Sequence, residues 1–228
     1  MVAREQDLDA VGVFTEPQRR RVFERLQAEG PLRVADLMTS LAMGRTLVAF
    51  HLAKLVEAGF VEAVAPDPSS SGPGRPSQRY RITGREAVAT VPDRRYDLLA
   101  GILLDSLAGF RPGDTAQSSA LRAARQRGAD LARQLGRPGR GRSLADRFHR
   151  LEGVLSALGY APRRDGRELT VRNCPFDKFR ATNTEQVCSL NLALADGYLE
   201  GLDLDTQLTA ELRPCPDRCC VVFASRHR

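Results

Sequence analysis

The sequence predicts a mainly α-helical protein with small β elements: a helical N-terminal unit followed by a C-terminal α+β part. Three observations predict it. Residues 32–59 read as two short helices around a turn, with apolar residues recurring three and four apart. Two strand-like runs, 60–64 and 79–83, flank a stretch dense in Pro, Gly and Ser. All five cysteines fall between positions 174 and 220, where short strand and helix patterns alternate. With 228 residues, 42% of them hydrophobic, the chain is long enough for one large or two ordinary domains with proper cores.

Residues 1–14 read as a loose arm capable of a short helix. Thr15, Pro17 and Gln18 then start a helix, with Thr15 as cap and Gln18 completing a capping box. It runs on Val22, Phe23 and Leu26 to about Glu29, and Gly30-Pro31 ends it. The next helix buries Leu32, Val34, Leu37, Met38 and Leu41. Ala42-Met43-Gly44 forms the turn, with Gly44 supplying the free backbone. The second helix buries Leu47, Val48, Leu52, Leu55 and Val56, leaves Arg45, Thr46, Ala49, Phe50, His51 and Lys54 outside, and stops at Gly59.

Such a pair is a helix-turn-helix, whose second helix enters the DNA major groove. Small outward residues allow close approach, and Arg45, Thr46 and Lys54 reach base edges or phosphates. In the second strand Tyr80 and Ile82 share one face and arginines the other. Helix, strand, basic loop and strand make a β-wing, in which Arg75, Gln78, Arg79 and Arg81 meet phosphates or the minor groove. Residues 15–84 are therefore expected to form a winged helix-turn-helix. The formal net charge of +6 favours a polyanionic partner.

Residues 85–142 read as a helical linker and dimerisation region. Tyr96–Ala108 is so apolar that it must bury most of its surface, in a dimer or in the chain's own core. Asp114 caps a long helix over 115–135, and the Gly- and Arg-rich 136–142 forms a hinge. Residues 143–228 are expected to form an α+β domain: a helix from Ser143 to Gly159, two strands around Asp165-Gly166, a helix to about Tyr198, and a strand at 208–212. No apolar run approaches the roughly 20 residues of a membrane span, and no signal peptide opens the chain. A soluble, cytoplasmic protein is expected.

In a reducing cytoplasm, cysteines clustered as Cys174, Cys188, Cys215, Cys219 and Cys220 point to metal or redox chemistry. Pro175 places Cys174 at a helix start, where the thiol pKa falls. Cys215, Cys219 and Cys220 return on a hairpin strand, and Cys219 and Cys220, on opposite faces of it, leave room for one ligand of the two. Iron–sulfur and zinc sites are both open, and the thirteen residues between Cys174 and Cys188 lean toward a cluster over a zinc knuckle. A cysteine-dependent redox enzyme is the reading of another class. It lacks an evident Cys–His pair, since the histidines are His51, His149 and His227.

LAMGRTLVAFHLAKLVEAGFVE, from Leu41 to Glu62, resembles the winged helix of the ArsR/DeoR-type bacterial repressors. GRPSQRYRIT at 74–83 looks like the wing of their iron–sulfur-sensing branch, the SufR-like regulators. NCPF at 173–176, VCSLN at 187–191, DGYLEG at 196–201 and RCCVVF at 218–223 are similar to that branch's sensor domain. The resemblance implies a homodimer on a pseudo-palindromic DNA operator and a [4Fe-4S] or [2Fe-2S] cluster on Cys174, Cys188 and one of Cys219 or Cys220, with a zinc or small-ligand sensor as the alternative. Asn183-Thr184 stands where the family often has His-Pro, and Cys215 is outside the pattern. The fourth ligand therefore stays open, with Cys215 as an alternative ligand or a resolving thiol.

Overall fold

The computed structural model describes residues 2–65, 78–136, 143–215 and 218–226, with side chains from Asp7 onward. The chain divides into two compact units, Met1–Ala89 and Thr90–Arg228. The fold is mainly helical with small antiparallel sheets, as its sequence predicts.

The first unit runs α1 (Val2–Gly12), a 3-10 turn (Val13–Thr15), α2 (Pro17–Glu29), β1 (Leu32–Arg33), α3 (Val34–Leu41), α4 (Arg45–Glu57), β2 (Val61–Val64) and β3 (Arg79–Ile82). The strands form an antiparallel sheet in the order β1-β3-β2, with Val61 opposite Ile82 and Leu32 opposite Tyr80. Val22, Leu26, Leu37, Val48, Leu52, Leu55 and Phe60 fill the core, and Tyr80 and Ile82 pack on it from the wing strand.

Three local expectations change. The arm is part of the fold: Ala10 is buried, and Phe14 meets Phe23 and Phe60 edge-on at 5.0 and 4.8 Å. The cap of α2 is Glu16, whose carboxylate accepts from the backbone N–H groups of Gln18 and Arg19, while the Thr15 hydroxyl donates to the Gly12 carbonyl. The left-handed turn residue is Ala42 (φ +53°), and Gly44 sits at an ordinary φ of −67°. That placement costs Ala42 about 1–2 kcal/mol. Burial of Met43, and its N–H bond to the Met38 carbonyl, offset the cost.

The second unit contains α5 (Tyr96–Ala108), α6 (Ala116–Leu135), α7 (Leu144–Ala157), β4 (Pro162–Asp165), β5 (Glu168–Val171), α8 (Asp177–Arg180), α9 (Thr184–Gly201), β6 (Leu208–Leu212) and β7 (Val221–Ser225). Its antiparallel sheet has the order β4-β5-β7-β6. One core joins α5, α6, α7, α9 and the sheet through Ile102, Ala132, Phe148, Leu155, Leu169, Leu194 and Phe223. Thr115, not Asp114, caps α6, accepting from the N–H of Ser118. Asp114 instead pairs with Arg122 at 2.7 Å.

Helices α6 and α9 lie backbone to backbone because glycines line the seam. A Cβ on Gly197 would run into the Arg125 carbonyl oxygen, and one on Gly128 into the Leu194 carbonyl oxygen. Arg125 and Glu200 form an ion pair between the same helices. Gly197→Ala is expected to force the helices apart and destabilise the unit by about 1–3 kcal/mol, read as a lower urea midpoint than that of Gly153→Ala, whose Cβ meets nothing.

Candidate functional site

Helix α4 buries Val48, His51, Leu52 and Leu55, a stripe at i, i+3, i+4 and i+7. Arg45, Thr46, Ala49, Phe50 and Lys54 face solvent, with Phe50 51% exposed. Small and basic residues are thus on the outer surface, as expected of a groove-entering helix. Arg45 holds no ion pair among the described residues, and Lys54 lies 2.7 Å from Glu57. Gln78 is exposed just before β3, and Arg79 is half-buried within it. Arg81 bonds Glu62 across the strands at 2.7 Å. Arg75 lies outside the described residues.

His51 is the correction on this face. It is 2% exposed and points into the core, so it cannot touch DNA without unfolding the helix pair. Leu47 and Val56, expected inside, are turned outward, because the buried stripe rotates to take in His51. Burial pushes the imidazole pKa below its ordinary value. The Glu16 carboxylate, 3.5 Å from Nδ1, opposes that shift and Arg19 adds to it. In the unfolded chain His51 takes its proton near pH ~6.5, and the folded protein resists protonation. Its contribution to stability is present above that pH and lost as the pH falls below it. Thermal unfolding of the full chain is expected to show a midpoint that drops below pH ~6.5 in the wild type, with a shallower drop in His51→Leu.

Residues 16–63 match the family described as bacterial regulatory protein, arsR family. The match begins at the cap of α2 and ends in β2, so it covers the helix-turn-helix and the first wing strand. The chain therefore carries an ArsR-type helix-turn-helix, the DNA-binding element of a transcriptional regulator. No curated protein matches the chain. Among the described residues, no helix is long and apolar enough to cross a membrane.

The second unit brings four cysteines together from three separated segments. Cys174 lies between β5 and α8, Cys188 in the first turns of α9, and Cys219 and Cys220 immediately before β7; all four are buried. Cys188 Sγ lies 3.4 Å from Cys220 Sγ. Cys219 and Cys174 act on each other's thiols, lowering Cys174 and raising Cys219. Cys219 and Cys220 are not on opposite faces of a strand, because neither is within β7. In the bend before β7 both turn inward, fixed by the Cys219 N–H on the Val171 carbonyl (3.1 Å) and the Cys220 carbonyl under the Arg213 N–H (2.7 Å).

Cys215 stays apart from the four. It is half-exposed and lines a cleft of about 350 Å³ with Arg163, Asp165, Glu168, Thr170, Arg172 and Arg218. No contact joins it to the four buried thiols among the described residues. Nor does Cys174 begin a helix. Residues 174–176 form a turn, and α8 starts at Asp177. Even so, the Cys174 thiol is lowered to about 7, chiefly by the Cys219 hydrogen bond and helped by the Phe176 N–H. Cys188 is pushed up to about 12 by burial and by Cys220, and Cys219 is raised by its bond to Cys174 and by burial.

Several supporting residues went unnoticed in the sequence. Asn191, 2% exposed, donates from Nδ2 to Cys219 Sγ at 3.1 Å, and its Oδ1 accepts from the Tyr160 hydroxyl at 2.5 Å. Tyr160 in turn lies 3.4 Å from the Tyr198 hydroxyl. The phenol can only donate to the amide oxygen, so the Asn191 NH2 must face sulfur. Arg94 bonds Asn173 and, at 3.3 Å, the Cys174 carbonyl, which fixes the turn. Arg180 adds positive charge near Cys174, Cys188 and Cys220. VCSLN places Asn191 three residues after Cys188, on the same helix face; that spacing was the one available signal.

Among the described residues, no group of three or more His, Cys, Asp or Glu side chains stands as an assembled metal shell. The sulfurs instead form two pairs, Cys174 with Cys219 and Cys188 with Cys220. Their chemistry, four buried thiols free of disulfides, fits a thiophilic metal centre once the shared protons leave. Asn191→Leu is expected to leave Tyr160 without its acceptor and cost about 1–3 kcal/mol of stability. The lost N–H···S bond should weaken metal uptake by about 10–100-fold, measured by competition with a chelator.

Proposed function

We propose that the chain is a homodimeric, cytoplasmic transcriptional repressor whose operator binding is controlled by an iron–sulfur cluster on Cys174, Cys188, Cys219 and Cys220. The observation that carries the reading is four buried thiols drawn from separated segments, with Cys188 and Cys220 in contact, in a chain whose other unit has an ArsR-type helix-turn-helix. Four cysteines and no nitrogen or oxygen donor are the usual ligand set of [4Fe-4S] and [2Fe-2S] centres. A bound cluster would supply sensitivity to oxidants and to electron supply. The chain's own part is to hold the sulfurs, keep water out and aim the Asn191 N–H at Cys219. A four-cysteine set also takes zinc, which is the second reading.

The thiols connect to the proposed pairing face through packed helices. Cys188 and Asn191 are on α9, α9 is locked to α6 by the glycine seam, and α6 packs on α5. Along α5, Leu103, Leu104 and Leu107 are 46, 67 and 73% exposed, and Phe110 just beyond is 52% exposed. An apolar stripe on a helix whose opposite face is core supports pairing with a second copy. Two joined winged helices would dock on successive major grooves of a pseudo-palindromic operator, with Arg45, Thr46, Ala49, Phe50 and Lys54 in the groove. Coupling the two sites needs only about 1–3 kcal/mol.

The test is anaerobic purification followed by an absorption spectrum and analysis for iron, sulfide and zinc. Brown protein with iron and sulfide in equal amounts supports the cluster. Colourless protein with stoichiometric zinc overturns it and leaves DNA binding untouched.

A further inference from the structure

The Cys188–Cys220 pair differs from its neighbour in how far it is prepared for bond formation. The two sulfurs are 3.4 Å apart, so closing to a disulfide needs an approach of only about 1.4 Å. Cys188 rides on α9, and Cys220 is held at the sheet by its own carbonyl, under the Arg213 N–H at 2.7 Å. In the other pair, Cys219 is 1% exposed and its sulfur is already engaged by Asn191 at 3.1 Å. Cys188, at 9%, is the most exposed of the four thiols.

We infer that in the metal-free protein Cys188 and Cys220 are a redox-active dithiol that closes to an intramolecular disulfide on meeting a small-molecule disulfide. The steps balance. One thiolate of the pair attacks one sulfur of the reagent, forming a mixed disulfide and expelling one thiolate. Its partner thiolate then attacks the protein sulfur of that mixed disulfide and expels the second. The protein loses two electrons and two protons, and the reagent leaves as two thiols. Closure withholds two of the four sulfurs from metal until a thiol reductant reopens the bond. That consequence rests on the proposed metal centre, whereas the disulfide itself does not.

Full-length protein is assayed for iron and sulfide, stripped anaerobically with a chelator and reductant, desalted, and incubated with oxidised glutathione. Free thiols are blocked with iodoacetamide and unreduced tryptic peptides are mapped by mass spectrometry. The expected result is a peptide joining Cys188 to Cys220, with alkylation lost at both, unchanged in Cys215→Ser and absent from Cys188→Ser and Cys220→Ser. Alkylation persisting at both positions, a bond from either to another cysteine, or glutathione remaining on Cys188 overturns the inference. Because the wild-type map alone decides it, a variant that fails to fold does not obscure the answer. Protein that never held iron yet forms the bond defeats the cluster reading alone. Iron-loaded protein that stays a dithiol after stripping defeats the disulfide alone.

Discussion

Arg45→Ala combined with Lys54→Ala is expected to weaken binding to the proposed operator, sought upstream of the chain's own gene, by about 30-fold or more at moderate salt, at about 1–3 kcal/mol per lost contact. Both side chains are on the exposed side of α4, opposite the buried Val48, Leu52 and Leu55. Arg45 opens the helix and Lys54 lies near its end, so the pair spans the face. Lys54 must exchange the exposed Glu57 for a phosphate, a small cost for a surface ion pair. The slope of log affinity against log salt should fall by about two for the two released contacts. Fluorescence anisotropy over a salt series checks both numbers, and unchanged far-UV circular dichroism separates lost contacts from lost fold. An unchanged affinity would remove α4 from the DNA interface.

Cys174→Ser is expected to cost the proposed metal centre at least about 100-fold in affinity, the upper end of what supporting residues alone contribute. Serine preserves the shape but replaces a soft thiolate by a hydroxyl that stays protonated at neutral pH. Cys174 is the thiol held lowest, at about 7, by the Cys219 hydrogen bond and the Phe176 N–H, so it enters a metal shell with the least proton loss. Cys215→Ser, altered in the arginine-lined cleft, should retain metal at the wild-type level. Iron, sulfide and zinc analysis of the two variants, prepared side by side, discriminates. Equal losses would return Cys215 to the ligand set.

The sequence by itself determined the elements. The spacing of Val22 and Leu26, of Leu37 and Leu41, and of Val48, Leu52 and Leu55 made the helices legible. The alternation of Tyr80 and Ile82 with arginines made the wing strand legible, and Gly30, Gly59 and Gly159 marked turns that the fold does take at positive φ. These signals are local, each read within a few residues. Cysteine crowding likewise pointed to a thiol centre in the C-terminal part.

What only the tertiary structure decided depends on contacts between distant segments. His51 goes inside because the N-terminal segment, from Ala10 to Glu16, folds onto the helix pair and closes the core over that side of α4, and nothing in the helical period requires it. Cys188 meets Cys220 because the bend before β7 comes up against α9, while Cys215 lies in a separate, arginine-lined cleft. Asn191 becomes a sulfur partner only when Tyr160, 31 positions away, takes its oxygen. A helix period says which residues share a face. It does not say which distant segment will cover that face, because that is settled by packing between parts of the chain that no short window contains.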